Sequence, residues 1–246
     1  MRIARIATDH GPVSVVQQAD QWVEVVDPFA EKLEYAGGSY PVAGATLLAP
    51  VQPLVVLGMA HNGAPGDRDL PRQAFSKSPR TVVGPGDTIM VDDELGQVNI
   101  EGELAVVIRR TSRHLTPGQV PAAILGYTIG NDVTAVDQIA LDEKMTQSKH
   151  GDGFTPIGPW IETDLDNGAV SMEVRVNDEI VASANTSQLA WNITEQLVYL
   201  TRYLTLGPGD IVLTGAPGTF APVKPGDQGS ITLGGIGTLS NPVGTR

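Results

Sequence analysis

The sequence predicts a mainly β protein of the α+β class, with few short helices and a small β-rich N-terminal unit. Its 246 residues include 28 glycines and 18 prolines but only 5% aromatic residues, a composition typical of many tight turns between short strands. Short apolar runs bounded by turn residues recur along the chain, whereas only three segments carry helix signals.

The first 50 residues form the predicted N-terminal β unit. Apolar and polar residues alternate there, and we expect strands at 13–16 and 22–26. A link bracketed by Pro50 and Pro53 follows, and it divides the chain into domains at residues 1–50 and 51–246. The apolar run at 54–57 predicts the next strand, which we expect to end at Gly58, where the chain would turn.

Four Pro-Gly-Asp tripeptides, at 65–67, 85–87, 208–210 and 225–227, predict type II turns. The last three precede strand-like runs at 88–91, 211–214 and 230–233, and their irregular spacing is not that of a repeat array.

Three short helices complete the predicted elements. Thr116 and Gln119 are spaced as a capping box with proline between them, which predicts a helix to about residue 125. Asn192 and Glu195 predict a second capped helix that ends before residue 207. A third helix is expected over 135–145.

The composition excludes several classes of protein. A net charge of −12 argues against nucleic acid and anionic membrane surfaces as partners. The absence of cysteine excludes disulfides, thiolate zinc sites and a cysteine nucleophile. Apolar runs are too short to span a bilayer and the N-terminus lacks a secretory apolar region, so we expect a soluble, cytoplasmic protein.

Three carboxylates and a lysine form the candidate site. Glu101 and Glu103 lie two apart in a predicted strand, so both side chains project from one face and repel each other unless a cation lies between them. Asp132, at the end of another apolar strand, would complete an all-oxygen site for Mg²⁺, Mn²⁺ or Ca²⁺. Lys149 would bind a substrate carboxylate or stabilise an enolate. The alternatives are a solvated acidic edge and a surface lysine.

An ordered set of motifs resembles the fumarylacetoacetate hydrolase family over about residues 48–243. The motifs are LAPV at 48–51, GPGD at 84–87, EGELAVVI at 101–108, GYTIGNDVTA at 126–135, PIGPW at 156–160, VN at 176–177, LGPGD at 206–210 and LTGAPG at 213–218. The resemblance implies a mixed β-sandwich roll that is usually dimeric, so a homodimer is expected.

The resemblance also implies a site and a chemistry. Mg²⁺ or Mn²⁺ would be held by Glu101, Glu103 and Asp132, with Lys149 as the catalytic lysine. The substrate-binding residues would be Lys77, Thr214 and Gly215. Members of the family act on small 2-oxo acids or their enols by C–C hydrolysis of acylpyruvates, decarboxylation of oxo-diacids or isomerisation of dienoates.

The family's water-activating stretch, Gly-x-Asn-Tyr-x-x-His-x-x-Glu, is altered here. Ala64 occupies the histidine position, Asp67 the glutamate position, and His61 the tyrosine position. One hypothesis is that His61 and Asp67 replace the missing dyad; the alternative is that His61 is a loop residue, with His150 as another candidate base. Departures elsewhere are Val136 in place of arginine and Ala216 in place of threonine.

Three functions remain open from the sequence. The leading hypothesis is a metal-dependent isomerase or decarboxylase that acts on a 2-oxo acid or related enolisable dicarbonyl through a metal-bound enolate, because this chemistry needs no activated water. The second is a C–C hydrolase of the acylpyruvate or fumarylacetoacetate type with His61 as base. The third is a catalytically silent metal-binding member of the family.

Overall fold

The computed structural model describes residues 1–64 and 66–245, and the strands of this part of the chain form two sheets. The strands of the larger, 13-stranded sheet are β1 (Arg2–Ile6), β2 (Val13–Gln18), β3 (Gln21–Val25), β4 (Tyr35–Pro41), β5 (Val56–Ala60), β6 (Gln73–Lys77), β7 (Val82–Val83), β9 (Val98–Ile108), β10 (Ile124–Asn131), β11 (Thr134–Ala135), β12 (Thr155–Glu162), β15 (Ile211–Leu213) and β16 (Phe220–Val223). Those of the five-stranded sheet are β8 (Ile89–Val91), β13 (Ser171–Val176), β14 (Glu179–Asn185), β17 (Gln228–Leu233) and β18 (Gly237–Thr245).

Helices are few and short, as predicted. The α-helices of the described residues are α1 (Val120–Ala123), α2 (Thr146–Lys149) and α3 (Ile193–Tyr203). Single 3₁₀ turns occupy Asp67–Asp69, Pro79–Thr81, Asp93–Leu95, Pro117–Gln119, Val136–Gln138, Asn167–Ala169 and Thr186–Gln188. No helix in the described ranges is both long and apolar enough to cross a membrane.

The larger sheet runs in the order β4-β3-β2-β1-β12-β10-β9-β15-β5-β6, and the smaller in the order β14-β13-β17-β18-β8. Both sheets are mixed, because β5 pairs with β15 and β8 with β18 in parallel while most neighbours are antiparallel. The predicted fold class, mainly β with few short helices, is confirmed. The N-terminal strands continue the larger sheet through the pairing of β1 with β12, so the domain boundary at residue 50 stays a prediction.

Strand β9 lies at the centre of the molecule and buries side chains on both faces. Leu104, Val106 and Ile108 belong to the hydrophobic cluster that also contains residues of the smaller sheet. Ala105 and Val107 belong to a second cluster on the opposite face. This period-2 alternation fixes which residues of β9 can share a site.

Two predicted helix starts and all four predicted glycine turns agree with the structure. The Asn192 side chain accepts the Glu195 N–H at 3.0 Å, while Glu195 accepts the Asn192 N–H at 3.1 Å, which completes the capping box of α3. The Gln119 side chain accepts the Thr116 N–H at 2.9 Å, although α1 ends two residues earlier than expected.

The glycine of each Pro-Gly-Asp tripeptide has a positive φ, as the third residue of a type II turn requires. These glycines are Gly66, Gly86, Gly209 and Gly226. Pro65, in the first, lies outside the described residues.

The strand predicted to end at Gly58 begins and ends later than expected. Leu54 and Val55 donate their N–H groups to the Asp210 carboxylate, at 3.1 and 2.8 Å, so β5 starts only at residue 56. It continues to residue 60 because it pairs with β6 along its length. Gly58 does not turn the chain. A Cβ at this position would lie 2.2 Å from the Phe75 ring, so the absence of a side chain lets the ring pack on the backbone.

The helix predicted over 135–145 is wrong. Ala135 pairs with Val98 as part of β11, and the Asp137 carboxylate accepts the Gln97 N–H at 2.9 Å. Gln138 donates to the Glu94 carbonyl at 3.1 Å. These contacts with a distant loop hold the segment as one 3₁₀ turn, and the following α-helix begins only at residue 146.

Candidate functional site

Three carboxylates converge where β9 and β10 lie side by side. Glu101 and Glu103 extend from the same face of β9, and Asp132 directly follows β10. The pairing of Gly130 with Glu103 brings the end of β10 beside the two glutamates. One carboxylate oxygen from each of the three residues lies within 4.8 Å of the others. The structure therefore brings together the predicted metal ligands.

Backbone contacts position these carboxylates. The Asp132 N–H donates to the Glu101 carbonyl at 2.9 Å, which closes the end of the strand pair. Glu103 Oε2 accepts the Gly215 N–H at 2.6 Å. Gly102, between the two glutamates, faces the smaller sheet, where a Cβ would lie 3.0 Å from Ile231 and Val174 side chains. The alternation on β9 thus directs both glutamates away from that core.

Two lysines contact the Asp132 carboxylate, one at each of its oxygens. Lys149 Nζ donates to Asp132 Oδ2 at 2.5 Å and to Thr134 Oγ1 at 2.6 Å, and lies 3.5 Å from Glu101 Oε2. Lys77 Nζ donates to Asp132 Oδ1 and to the Val133 carbonyl, the latter at 3.1 Å. The Lys77 side chain is fully buried, while that of Lys149 is 6% exposed.

Burial and mutual repulsion perturb the ionisation of this cluster. Burial, reinforced by the charge of Asp132, raises the pKa of Glu103 well above its usual value. Burial would also raise the pKa of Asp132, but the Lys149 and Lys77 ammonium groups hold it below its usual value. Burial lowers the pKa of Lys77 to about 8, although Asp132 opposes the shift. In Lys149 the carboxylates outweigh burial and raise the pKa.

The donor set fits a small divalent cation. All three candidate ligands offer carboxylate oxygen, the donor that Mg²⁺ and Mn²⁺ prefer. The ionised form of Glu103 is disfavoured in this buried setting, and a divalent charge beside it would offset both desolvation and repulsion from Asp132. Glu101, Glu103 and Asp132 are therefore the residues that would hold such an ion.

The cluster forms the floor of a cleft of about 530 Å³. Most of the cleft wall is apolar. Besides the three carboxylates, the cleft is lined by Met59, Ala60, His61, Asn62, Gly63, Ala64, Asp67, Phe75, Thr134, Ile139, Met145, Lys149, Ala216, Gly218 and Phe220.

His61 and Asp67 both line the cleft, but they differ in backbone conformation and in hydrogen bonding. His61 has a φ of 53°, a left-handed conformation that costs energy in a residue other than glycine and recurs at functional sites. Asp67 Oδ2 accepts the N–H groups of Gly63 and Ala64, at 2.8 and 2.7 Å. The same carboxylate-to-turn contact occurs in the other three Pro-Gly-Asp turns, so it reflects turn structure. In the described part of the chain no hydrogen bond joins His61 to Asp67.

The other sequence candidates lie around the cleft without lining it. Lys77 lies behind Asp132, Thr214 Oγ1 donates to the Leu104 carbonyl at 2.8 Å, and Gly215 donates to Glu103. His150 Nε2 lies 2.8 Å from the Ser76 carbonyl oxygen, outside the cleft lining. Through these contacts Lys77 and Gly215 position predicted metal ligands.

Sequence reasoning missed two residues that shape the site. Thr134 accepts from Lys149 and donates to the Asp132 carbonyl at 2.9 Å, and its position two residues after Asp132 is the only signal that pointed to it. Buried Asn62 accepts the Trp191 N–H at 2.6 Å and donates to the Thr214 carbonyl at 2.6 Å. It joins the loop of His61 to the loop of Gly215, a contact across more than 100 residues of chain that local sequence does not reveal.

Comparison with known proteins matches two family models to the chain. A family model described as fumarylacetoacetate (FAA) hydrolase C-terminal matches residues 46–244. A second, described as Rv2993c-like, N-terminal, matches residues 1–50.

Several relatives, among them the following three, carry names that bear on chemistry. A crystal structure of 5-carboxymethyl-2-hydroxymuconate delta-isomerase from Mycobacterium smegmatis is 37% identical over the full length of both chains, with a TM-score of 0.93. The mitochondrial oxaloacetate tautomerase Fahd2a of Rattus norvegicus is 34% identical over 82% of this chain and 71% of its own. A maleylpyruvate hydrolase from Sphingobium sp. SYK-6, solved with manganese(II) and pyruvate, is 25% identical over 100% of this chain and 99% of its own, with a TM-score of 0.81.

Proposed function

Because the chain belongs to the fumarylacetoacetate (FAA) hydrolase family, we propose that it is an enzyme that converts a 2-oxo acid or related enolisable dicarbonyl through an enolate, by isomerisation, tautomerisation or decarboxylation. The observation that carries the proposal is the convergence of three carboxylates and Lys149 on the floor of one cleft. Mg²⁺ or Mn²⁺ held by Glu101, Glu103 and Asp132 would supply positive charge that polarises a substrate carbonyl.

Lys149 supplies a fixed positive charge beside the reacting carbons. Its neighbouring carboxylates raise its pKa, so the ammonium stays protonated at neutral pH. Its contacts with Asp132 and Thr134 fix the position of Nζ, and the residue lines the cleft. A preorganised charge at this place stabilises the negative charge that develops when a 2-oxo acid loses a proton or CO₂.

His61 is the candidate proton carrier. Its imidazole lines the cleft, and within residues 1–64 and 66–245 no hydrogen bond occupies either ring nitrogen. Asn62, next in the chain, is anchored to Trp191 and Thr214, so the loop that holds His61 is fixed to the body of the protein. Asp67 stabilises the same loop through its contacts with Gly63 and Ala64, which we propose as its contribution.

The second candidate function is C–C hydrolysis with His61 as the base that activates water. The maleylpyruvate hydrolase relative favours it, as does the accessible imidazole in the cleft. Hydrolysis requires a base within about 3 Å of a water molecule, and Ala64 offers none. A silent metal-binding protein is the third candidate, and the buried cluster of charges argues against it because such clusters stabilise folds poorly.

An activity screen tests these candidates. Keto–enol conversion of oxaloacetate, keto–enol conversion of an acylpyruvate and hydrolysis of the same acylpyruvate are each followed by absorbance, with metal-free protein and after addition of Mg²⁺ or Mn²⁺. We expect metal-dependent turnover that is faster for the first two reactions than for hydrolysis. Faster hydrolysis would support the second function. Absence of metal-dependent turnover in all three reactions would refute the proposal that the protein is such an enzyme.

A further inference from the structure

The cleft has an apolar half beside its acidic floor. Phe220, in β16, pairs with Glu101 in β9, so the two side chains lie next to each other on one face of the sheet, with Cβ atoms about 5 Å apart. Ile139 and Met145, from the segment before α2, line the same cavity. Phe220 is 53% exposed and Ile139 40% exposed, and neither belongs to a hydrophobic cluster of the described residues. Exposed apolar groups clustered at a cleft mark a surface that binds an apolar ligand group.

Phe75 forms a fixed wall of this cavity. Its ring packs on the backbone of Gly58, where even a methyl group would lie 2.2 Å from a ring carbon. Lys149 Nζ lies 4.6 Å from the ring centroid on the side of the acidic floor. The ring therefore contacts the charged floor at Lys149, and its packing on Gly58 sets its position before any ligand arrives.

The apolar half offers no charge for a second acidic group. Among the described residues that line the cleft, Lys149 is the only lysine or arginine, and its ammonium is engaged by Asp132, Thr134 and Glu101. Asp67 is a further acidic residue of the lining. A substrate carboxylate packed against Phe220, Ile139 and Met145 would lose its hydration without gaining an ion pair from these side chains, and unpaired charges of this kind are strongly disfavoured.

We propose that the natural substrate is a 2-oxo acid with one carboxylate and an apolar alkyl or aryl group at its far end, which packs against Phe220, Ile139 and Met145. The inference rests on the proposed function, since it assigns the 2-oxo acid end to the acidic floor. These three residues determine specificity, and a dicarboxylic 2-oxo acid of the same length is the disfavoured substrate. A volume of about 530 Å³ accommodates such a molecule.

Calorimetric binding to the magnesium-loaded protein tests the proposal without requiring turnover. The titrants are pyruvate, 2-oxopentanoate, 2-oxohexanoate and 2-oxooctanoate, with the diacids 2-oxoglutarate and 2-oxoadipate for comparison. Affinity should rise with tail length, by up to about fourfold for each methylene group that becomes fully buried. Each diacid should bind more weakly than the monoacid of equal chain length.

Two lysine substitutions locate the tail. Phe220→Lys should weaken binding of 2-oxooctanoate at least about tenfold, because an ammonium replaces the apolar wall, and should strengthen binding of 2-oxoadipate. Tyr203→Lys is the matched control, since Tyr203 is 63% exposed on α3 and does not line the cleft. It should change neither affinity.

The outcomes separate this inference from the proposed function. If pyruvate binds but affinity does not rise with tail length, or if the diacids bind more tightly, the apolar subsite is refuted and the proposed function stands. An equal effect of Phe220→Lys and Tyr203→Lys would also refute the subsite. If no 2-oxo acid binds to the magnesium-loaded protein, both are refuted.

Discussion

Replacement of Asp132 by Asn should destabilise the metal-free protein through Lys77. The Lys77 and Asp132 side chains are 0% and 2% exposed, and their ion pair joins strands that are distant in the sequence. In Asp132→Asn the Lys77 ammonium would keep only the Val133 carbonyl, at 3.1 Å, and a neutral amide as partners. Removal of one partner of a buried ion pair costs up to about 3–5 kcal/mol, which corresponds to a fall in Tm of up to roughly 6–20 °C in a chain of this length. Because the pKa of Lys77 is only about 8 even beside Asp132, loss of its proton limits this cost at neutral pH.

The free energy of unfolding is measured by urea titration in the presence of EDTA. Glu173→Gln is the matched control, because it breaks a pair with Arg175 in which the side chains are 33% and 37% exposed. That substitution should cost less than about 1 kcal/mol. Adding Lys77→Met to Asp132→Asn should restore part of the loss, since it removes the stranded charge.

The reasoning fails on either of two results. One is a loss for Asp132→Asn no larger than that for Glu173→Gln, which would mean that solvent or a rearranged side chain compensates the Lys77 ammonium. The other is a double variant that is no more stable than Asp132→Asn alone, which would trace the loss to a different contact.

Three further substitutions test individual assignments. Lys149→Ala should lower kcat/KM at least about 100-fold because it removes the charge that stabilises the enolate. Lys144 is an exposed lysine outside the cleft, so Lys144→Ala should leave kcat/KM unchanged. Equal values for the two variants would make Lys149 a structural residue. His61→Ala should lower turnover about 10²–10⁴-fold because His61 carries the proton. Its Mn²⁺ affinity, measured by calorimetry, should be retained, which shows that the metal ligands are undisturbed. An unchanged rate would mean that His61 is only a loop residue. Gly58→Ala should lower the free energy of unfolding by about 1–3 kcal/mol, because its methyl group would be forced into the Phe75 ring. Gly118 has open space around its Cα, so Gly118→Ala should lower the free energy of unfolding far less. Similar losses for the two variants in urea titration would contradict the packing argument.

The sequence revealed the parts of the site that local periodicity determines. Glu101 and Glu103 share a face because strands alternate, and Asp132 was placed at a strand end by its apolar run. The pairing of Lys77 with Asp132 depends instead on which strands become neighbours in the sheet, and no local pattern encodes that order. The homodimer, the metal and its identity, and the roles assigned to individual residues stay predictions.

Errors arose where distant contacts override local propensity. Gly58 was assigned to a turn, but β5 continues through this residue by pairing with β6. The Phe75 ring that packs on Gly58 explains why the residue is glycine. The helix predicted over 135–145 was lost because Asp137 and Gln138 bind the backbone of residues 94–97. In both cases the deciding partner is too far along the chain for a pattern of neighbouring residues to indicate it.

Exchange of the C3 protons of 2-oxobutanoate for deuterium, followed by ¹H NMR in D₂O, tests the central claim most directly because it detects enolate formation itself. The magnesium-loaded protein should accelerate exchange, and removal of the metal with EDTA should abolish the acceleration. Glu103→Gln should reduce it about 100-fold, since it replaces a ligand carboxylate by an amide that can still accept the Gly215 N–H. Exchange no faster than in buffer, or equally fast with EDTA or in Glu103→Gln, would contradict the assignment of an enolate-forming metal site.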